Sequence, residues 1–214
     1  MKKMALIILA AALAICLAGC GTVYVNPYAG IPNPTAVITM EDGSAMTFVL
    51  YPAEAPNTVA NFITLANSGY YDGLKIDYVY PAYFLRGGDP DGDGTGGPDY
   101  TIDGEFKSNG FLTDGLEHSR GTISMCRLSD DPNSAGSQFF IMISGHMEYD
   151  GEYAAFGRIA PEDTASLSTL DALSRVVLDK SYRPLLRQAI ASVRVDTKGY
   201  VYEVIKHEDE TEEE

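Results

Sequence analysis

Two short segments of the chain place an aromatic ring two residues from a long polar side chain. Phe84 and Arg86 lie in the run FLRG, and Gln138 and Phe140 lie in the run QFF. Alternate residues of a β-strand point to the same face of a sheet, so each pair is predicted to share a face. Rings supply apolar contact, and a few polar groups orient a bound polar backbone. The two segments therefore predict a shallow binding pocket.

The loop after the first segment invites a metal-site interpretation. Asp89, Asp91, Asp93 and Gly94 match the start of a calcium-binding loop. The twelfth position is Tyr100, where such a loop needs Glu, and no helices flank the segment. A glycine-rich turn explains these residues better than a calcium site.

The sequence gives little support for hydrolysis, phosphate binding or a histidine metal site. Ser137 does not lie in a G-x-S-x-G motif, so hydrolysis is unsupported. The run GDGTGG lacks the Lys of a phosphate-binding loop. His118 and His146 have no Cys or His at metal-ligand spacing, and most such histidines are structural. We expect neither a metal nor a cofactor.

Several short motifs surround the two segments in a fixed order. They are YDG at Tyr71–Gly73, Pro81, RGGDP at Arg86–Pro90, GDGTGG at Gly92–Gly97, PNSAGSQFFI at Pro132–Ile141 and FGRI at Phe156–Ile159. Together they resemble the cyclophilin-type peptidyl-prolyl cis–trans isomerases, colinearly from about Thr35 to about Lys206. The resemblance implies a closed eight-stranded antiparallel β-barrel with a helix at each end, which leaves no exposed sheet edge. The many short strand-like runs agree with a mainly β fold.

The resemblance also implies catalysis of rotation about X–Pro bonds. The uncatalysed barrier is ~18–20 kcal/mol because rotation destroys amide resonance. Catalysis then needs an apolar slot for the proline ring and a donor aimed at the imide nitrogen, but no nucleophile or metal.

The position of that donor differs from the family pattern. The family's Arg lies in a segment F-H-R, followed by two apolar residues and Pro. Here the segment reads Ile76-Asp77-Tyr78-Val79-Tyr80-Pro81, so Tyr78 stands at the Arg position. A phenol offers one donor and no permanent charge, whereas a guanidinium offers five donors and is always charged.

Other pocket positions carry over one by one. Tyr83 and Phe84 stand at the family's Phe and Met, Arg86 stands at its pocket Gln, and Gln138 and Phe140 are retained. The remaining substrate-binding positions are the backbone-contacting pair Cys126 and Arg127, Glu148 at a Trp position, its neighbour Tyr149, and Tyr153 at a late His position. We assign catalytic roles to Arg86, Gln138 and Phe140.

Two interpretations of Arg86 stay open. It follows Phe84 by two residues, so it could reach the same pocket and replace the missing cation from the neighbouring strand. Alternatively, it pairs with Asp77 or Asp89 as a structural ion pair, and catalysis is weak.

The elements that must position these residues follow from the hydrophobic pattern. Thr35–Met40 and Met46–Leu50 flank a turn and predict a hairpin. Pro56–Ser68 predicts a helix that stops at Gly69. Further strands are predicted at Thr122–Cys126, Phe139–Ile143 and Ala154–Ile159, and a second helix is predicted within Pro161–Val177. The segment Ser181–Gln188 suits either an extended loop or a helical turn. Ala191–Asp196 and Tyr200–Val204 are predicted to form a closing hairpin.

The N-terminus has the features of a targeting segment. Lys2 and Lys3 precede an apolar run, Met4–Leu17, that is too short for a comfortable membrane span. The following Leu17-Ala18-Gly19-Cys20 resembles a bacterial lipoprotein signal, which implies that residues 1–19 are removed and Cys20 is lipidated. Ordinary secretion or an uncleaved anchor are the alternatives. Residues 20–34 then form a flexible tether, residues 35–206 the isomerase domain and residues 207–214 an acidic tail.

Composition restricts the partners. The formal net charge of −15 argues against nucleic acid, which requires clustered Lys and Arg. The three cysteines, Cys16, Cys20 and Cys126, do not form a disulfide framework. The resemblances to the isomerase family and to a lipoprotein signal together imply a lipid-anchored isomerase on the extracytoplasmic face of the membrane, acting on X–Pro segments of exported polypeptides, and we expect a monomer. The alternatives are a non-catalytic module that binds proline peptides and, less well supported, a docking lipoprotein of an envelope complex.

Overall fold

The computed structural model describes residues 28, 30–113 and 115–208 of the chain. Within these residues the chain forms eight β-strands and two α-helices. The strands are β1 (Thr35–Met40), β2 (Ala45–Leu50), β3 (Lys75–Tyr80), β4 (Phe84–Gly87), β5 (Thr122–Met125), β6 (Phe139–Met142), β7 (Ala155–Arg158) and β8 (Gln188–Asp196). The helices are α1 (Pro56–Ser68) and α2 (Thr164–Ser174).

The strands close into one antiparallel barrel. Their order around the barrel is β1-β2-β7-β5-β6-β4-β3-β8, with β8 pairing back onto β1. The predicted mainly β class and eight-stranded barrel with two helices are confirmed. Closure places β4 between β3 and β6, so the two sequence segments with rings and polar groups become neighbours.

Helix α1 closes one end of the barrel, as its apolar stripe predicts. Phe62 on this helix is fully buried, and its ring lies 5.3 Å from Tyr71, 5.9 Å from Phe139 and 5.1 Å from Phe156, measured between centroids. The helix ends at Gly69, whose φ of 83° is the left-handed conformation that glycine adopts without a steric penalty. The predicted bounds of this helix are confirmed.

A side-chain carboxylate accepts hydrogen bonds from backbone N–H groups at the N-terminus of each helix. For α2 the carboxylate is adjacent in sequence, and for α1 it is distant. Asp163 directly precedes α2, and its side chain accepts a hydrogen bond from the backbone N–H of Ser166. Ala55 at the start of α1 has no such side chain, and the distant Glu105 accepts from the N–H groups of Asn57 and Thr58 instead. This contact ties the long β4–β5 connection to the helix.

The predicted closing hairpin is wrong in its second half. Residues 200–204 form no strand, because β8 already pairs with β1 on one side and β3 on the other. The backbone of Ile205 instead exchanges hydrogen bonds with the side chain of Asn57, and the N–H of His207 donates to the carbonyl of Thr101. The closed barrel leaves no free edge for another strand.

The predicted leader, the Cys20 lipidation site and most of the acidic tail lie outside the described residues. Within the predicted tether, Tyr28 is 6% exposed and stacks on Tyr202, with ring centroids 5.2 Å apart and planes inclined by 17°. In the part of the chain that the structure describes, none of the helices has the length and apolar character needed to cross a membrane.

Candidate functional site

The centre of the site is the stretch of barrel wall where β4 runs between β3 and β6. Arg86 lies opposite Tyr78 on β3 and opposite Phe140 on β6. Phe84 and Phe140 pack with ring centroids 5.3 Å apart. The structure thus brings the two predicted ring-and-polar pairs together on one face.

A cluster of rings extends this face towards the segment before β7. Tyr149 lies 6.2 Å from Phe84 and 5.8 Å from Phe140, and Tyr153 lies 5.4 Å from Phe140, all between ring centroids. Phe140 is only 3% exposed and forms the base of the cluster, whereas Phe84 is partly exposed. Such a cluster offers a proline ring apolar contact on several sides.

The Phe140 ring rests on a polar network whose His118 and Ser124 are buried and whose Asp150 is partly exposed. His118 stacks on Phe140 with centroids 5.8 Å apart, and its Nδ1 and Nε2 lie 2.9 Å from Oδ1 of Asp150 and 3.1 Å from Oγ of Ser124. Burial lowers the pKa of His118, although Asp150 acts in the opposite direction. Ser124 is fully buried, so this Asp–His–Ser arrangement holds the ring and has no route to a substrate as a nucleophile.

Arg86 forms an ion pair with Asp77. Its Nε lies 3.2 Å from Oδ2 of Asp77, and its Nη2 contacts the same oxygen. The Asp77 side chain is 2% exposed, and the Arg86 side chain is 22% exposed. Burial would lower the pKa of Arg86, but the hydrogen bond and charge of Asp77 raise it above its ordinary value. The guanidinium therefore stays charged beside the pocket.

A register shift in β3 explains how Asp77 reaches Arg86. The shift falls between Ile76 and Tyr78, and both Ile76 and Asp77 are buried. A bulge of this kind breaks the alternation of faces and redirects a side chain. The Arg86 guanidinium also lies 5.5 Å from the centroid of the Tyr78 ring. Of the two partners considered for Arg86, the structure selects Asp77.

Asp89 has a different partner set. Its carboxylate accepts backbone hydrogen bonds from Asp91, Gly94 and Gly96 and is almost fully buried. Burial raises the pKa of Asp89, but the surrounding backbone N–H groups more than offset this and hold it below its ordinary value. Asp89 thus shapes the glycine-rich loop, as the turn interpretation predicts. The described residues contain no group of three or more acidic, His or Cys side chains arranged to hold a metal ion.

Gln138 fastens the same loop to the start of β6. Its Nε2 donates to the carbonyl oxygens of Gly94, at 3.1 Å, and Gly96, at 2.8 Å. Gly94 also lies against Arg86, because a Cβ built on it would be 3.1 Å from Nη1. The side-chain donors of Gln138 face the loop, and its predicted contact with a bound backbone stays a prediction.

The remaining predicted residues lie at the rim or behind it. Tyr83 stacks on His146 at 3.7 Å between ring centroids, and the exposed Glu148 pairs with the same histidine. Arg127 spans the ring of Tyr153, at 4.8 Å, and donates from Nε to the carbonyl of Glu152. Cys126 is half-buried, and burial raises the pKa of its thiol to about 12, so it is inert as a nucleophile.

Two tyrosines of this region were missed by the sequence analysis. Tyr80 lies opposite Phe84 in the β3–β4 pair, with ring centroids 5.9 Å apart. Its spacing of two residues from Tyr78 could have placed it on the same face. Tyr182 contacts Tyr78 and Tyr80 from the connection between α2 and β8. Sequence pattern carries no signal for that long-range contact.

Comparison with known proteins adds independent observations. A family model described as cyclophilin type peptidyl-prolyl cis-trans isomerase/CLD matches residues 35–195. Peptidyl-prolyl cis-trans isomerase B of Bacillus subtilis is 40% identical over 144 residues, which cover 66% of this chain and 96% of the relative. A peptidyl-prolyl cis-trans isomerase of Synechococcus elongatus is 38% identical over 138 residues, 64% of this chain and 87% of the relative.

A solved structure has a similar fold. It is a cyclophilin type peptidyl-prolyl cis-trans isomerase of Cryptosporidium parvum, crystallised in the presence of the dipeptide Ala-Pro. It superposes with a TM-score of 0.65 at 30% identity and covers 76% of this chain and 98% of its own.

Proposed function

Because the chain belongs to the cyclophilin-type peptidyl-prolyl cis–trans isomerase family and is an isomerase of that type, we propose that it works at the cell envelope. There it is held to the extracytoplasmic face of the membrane by a lipid on Cys20 and assists the folding of exported proteins. Its substrates are X–Pro segments of those proteins, and it acts as a monomer.

The N-terminal sequence supports this location. Two lysines precede fourteen apolar residues, Met4–Leu17, and Leu17-Ala18-Gly19-Cys20 follows at once. This order of positive, apolar and small residues is that of a cleaved export signal. Acyl chains on Cys20 would anchor the protein, since each buried methylene contributes ~0.8 kcal/mol to membrane binding.

We further propose that Arg86 supplies the donor for catalysis. A proline ring seated against Phe84 and Phe140 lies next to the guanidinium, because Arg86 is the cross-strand neighbour of Phe140. As the X–Pro amide twists, its nitrogen lone pair localises and can accept a hydrogen bond, which stabilises the transition state more than the planar ground state. Asp77 engages Nε and Nη2, and among the described residues no side chain accepts from Nη1, which lies beside Gly94, so we assign this task to Nη1.

The same pair attenuates the enzyme. Tyr78 stands at the position of the family's donating Arg, and the cation of the neighbouring strand, Arg86, is paired with the buried carboxylate of Asp77. A guanidinium held at a carboxylate is a weaker donor to a third group than a free one. We therefore propose that turnover is slower than in a family member with Arg at the position of Tyr78. The observation that carries this proposal is the Arg86–Asp77 ion pair.

One experiment tests the location. Mass spectrometry of the protein from native membranes should show an acylated cysteine, Cys20, as the N-terminal residue, and Cys20→Ala should release or mislocalise the chain. Unmodified protein that stays in washed membranes would contradict the lipid anchor.

A second experiment tests the chemistry. The kcat/KM of the full-length chain on one proline peptide is compared with that of Tyr78→Arg and Arg86→Gln. A rise for the first variant and a loss for the second support the proposal. Peptide binding without measurable turnover in the parent would favour a binding module on the same fold.

A further inference from the structure

An exposed tyrosine extends the ring cluster beyond the pocket. Tyr182 is 42% exposed, and its ring centroid lies 6.0 Å from Tyr78 and 5.7 Å from Tyr80. The ring of Tyr78 lies in turn 6.1 Å from Phe84. A continuous path of rings therefore leads from the proline pocket outwards to the connection between α2 and β8. We call Tyr78, Tyr80 and Tyr182 the tyrosine shelf.

The backbone, rather than the packing of its own ring, fixes Tyr182 in this place. Its carbonyl accepts a hydrogen bond of 2.9 Å from the N–H of Val79 in β3. Oδ1 of Asp179 accepts from the N–H groups of Ser181, at 2.7 Å, and Arg183, at 3.0 Å, on either side of the tyrosine. The φ of Tyr182 is 59°, an unfavourable value for a bulky residue that persists only where the surroundings enforce it. The position of the Tyr182 ring is therefore set by the fold and does not depend on a bound peptide.

We propose that the tyrosine shelf is a second subsite of the peptide groove and takes an aromatic side chain of the polypeptide whose proline occupies the pocket. This inference rests on the proposed use of Phe84 and Phe140 as the proline slot. The occupant follows from continuity, since the shelf and the slot share the Tyr78–Phe84 contact. Tyrosine rings bind aromatic side chains edge-to-face at centroid distances of 4.5–7 Å and lose little conformational entropy on binding.

The distances restrict where the aromatic residue stands in the substrate. The ring path has two steps of 6.1 Å and 6.0 Å, from Phe84 to Tyr78 and from Tyr78 to Tyr182. An extended peptide advances about 3.3–3.6 Å per residue. A side chain two to four residues from the proline therefore reaches the shelf.

Peptide-binding measurements with the full-length chain test the proposal. Each peptide has one proline and carries Phe, Ala or Lys at a single position two to four residues before or after it. In at least one position, Phe should bind about two- to tenfold more tightly than Ala. Because the dissociation constant is measured by titration calorimetry, a slow enzyme does not obscure the result.

Three variants locate the effect. Tyr182→Asn removes the ring and keeps a residue that tolerates positive φ. The Phe peptide should then bind this variant only as tightly as the Ala peptide does. Tyr182→Phe keeps the ring and should keep the preference. Leu186→Asn makes a similar change at a 78% exposed position of the same connection and should leave it intact.

The outcomes separate the two proposals. Equal binding of the Phe and Ala peptides, a stronger preference for Lys, or an unchanged preference in Tyr182→Asn would overturn the shelf alone. Absence of binding by every proline peptide would overturn the pocket itself and the shelf with it.

Discussion

The two sides of the pocket are built in different ways. On the β6 side, Phe140 is 3% exposed and lies on a histidine whose two ring nitrogens both have hydrogen-bond partners. On the β3 side, Asp77 holds the charged Arg86 of β4, and the second oxygen of Asp77 is buried without a hydrogen-bond partner among the described residues. The β6 side is held by packing and by pairing of both histidine nitrogens, whereas the charge on the β3 side is held by one ion pair and by contact with the Tyr78 ring.

The difference indicates which property each side controls. A ring fixed by many contacts keeps its position when one neighbour changes, so the β6 side should govern binding of the proline ring and stability of the fold. A cation positioned by one carboxylate is sensitive to each substitution around it. The β3 side should therefore govern the rate, and it carries Tyr78, which the sequence resemblance puts at the family's Arg position.

The largest effect is expected for Phe140→Ala. Loss of a buried Phe side chain costs ~3–5 kcal/mol of unfolding free energy, and proline peptides should lose most of their affinity. Chemical denaturation and calorimetric titration measure the two effects. Phe48→Ala, at a fully buried Phe in the barrel core, should cause a similar loss of stability but keep peptide binding under conditions in which it is folded. Parental affinity in a folded Phe140→Ala variant would place the pocket elsewhere.

Arg86→Gln should separate rate from binding. Loss of a well-placed transition-state donor costs ~2.7–4 kcal/mol, roughly a hundred- to a thousandfold in rate. The fall should appear in kcat, with a smaller change in peptide affinity. Arg158→Gln removes an exposed arginine that packs on Tyr51 and serves as the control. Robust turnover in folded Arg86→Gln would remove Arg86 from the mechanism.

Tyr78→Arg combined with Arg86→Gln moves the cation to the position used by the family. A well-placed transition-state donor is worth ~2.7–4 kcal/mol, so kcat/KM should rise by roughly a hundred- to a thousandfold over Arg86→Gln, to at least the level of the parent. Tyr78→Lys in the same background should gain less, since an ammonium lacks the planar set of donors. If both variants matched Arg86→Gln, the β3 side would not control the rate.

The smallest effect concerns pH and the β6 side. Burial lowers the pKa of His118, so folding favours the neutral ring relative to the unfolded chain, where the pKa is ~6.5. This contribution to stability is present above about pH 6.5 and is lost as the pH falls below that value, because the unfolded chain then binds more protons. His118→Gln should flatten this part of the profile of unfolding free energy against pH. Parallel profiles for parent and variant would contradict the assignment.

The fold was predictable because its signals are local or repeated. The stripe of Val59, Phe62, Ile63 and Ala66 predicts α1 within its observed bounds. The prediction of a strand at 200–204 was wrong because strand pairing between distant parts of the chain decides the outcome there. Apolar and polar residues alternate in 200–204 as in a strand, but both edges of β8 already pair with other strands, β1 and β3.

The site was predictable in its rings but not in its charges. Alternate residues of a strand share a face, so the sequence of β4 and the QFF run predicts that Phe84, Arg86 and Phe140 lie on one face, as they do in the structure. The partner of Arg86 could not be chosen from sequence, because the choice depends on the register shift that buries Asp77. Tyr182 follows Tyr78 by about one hundred positions, and only barrel closure brings the two rings together.

If Cys20 carries the proposed lipid, the contact between Tyr28 and Tyr202 limits how far the folded domain can lie from the membrane. If Cys20 carries the lipid, only the eight residues after it, up to Tyr28, can span the gap, since the stacked rings fix Tyr28 to the barrel. A fully extended chain of that length covers at most about 29 Å. With the proposed anchor, the folded domain would therefore lie close to the bilayer surface and could not move far from it.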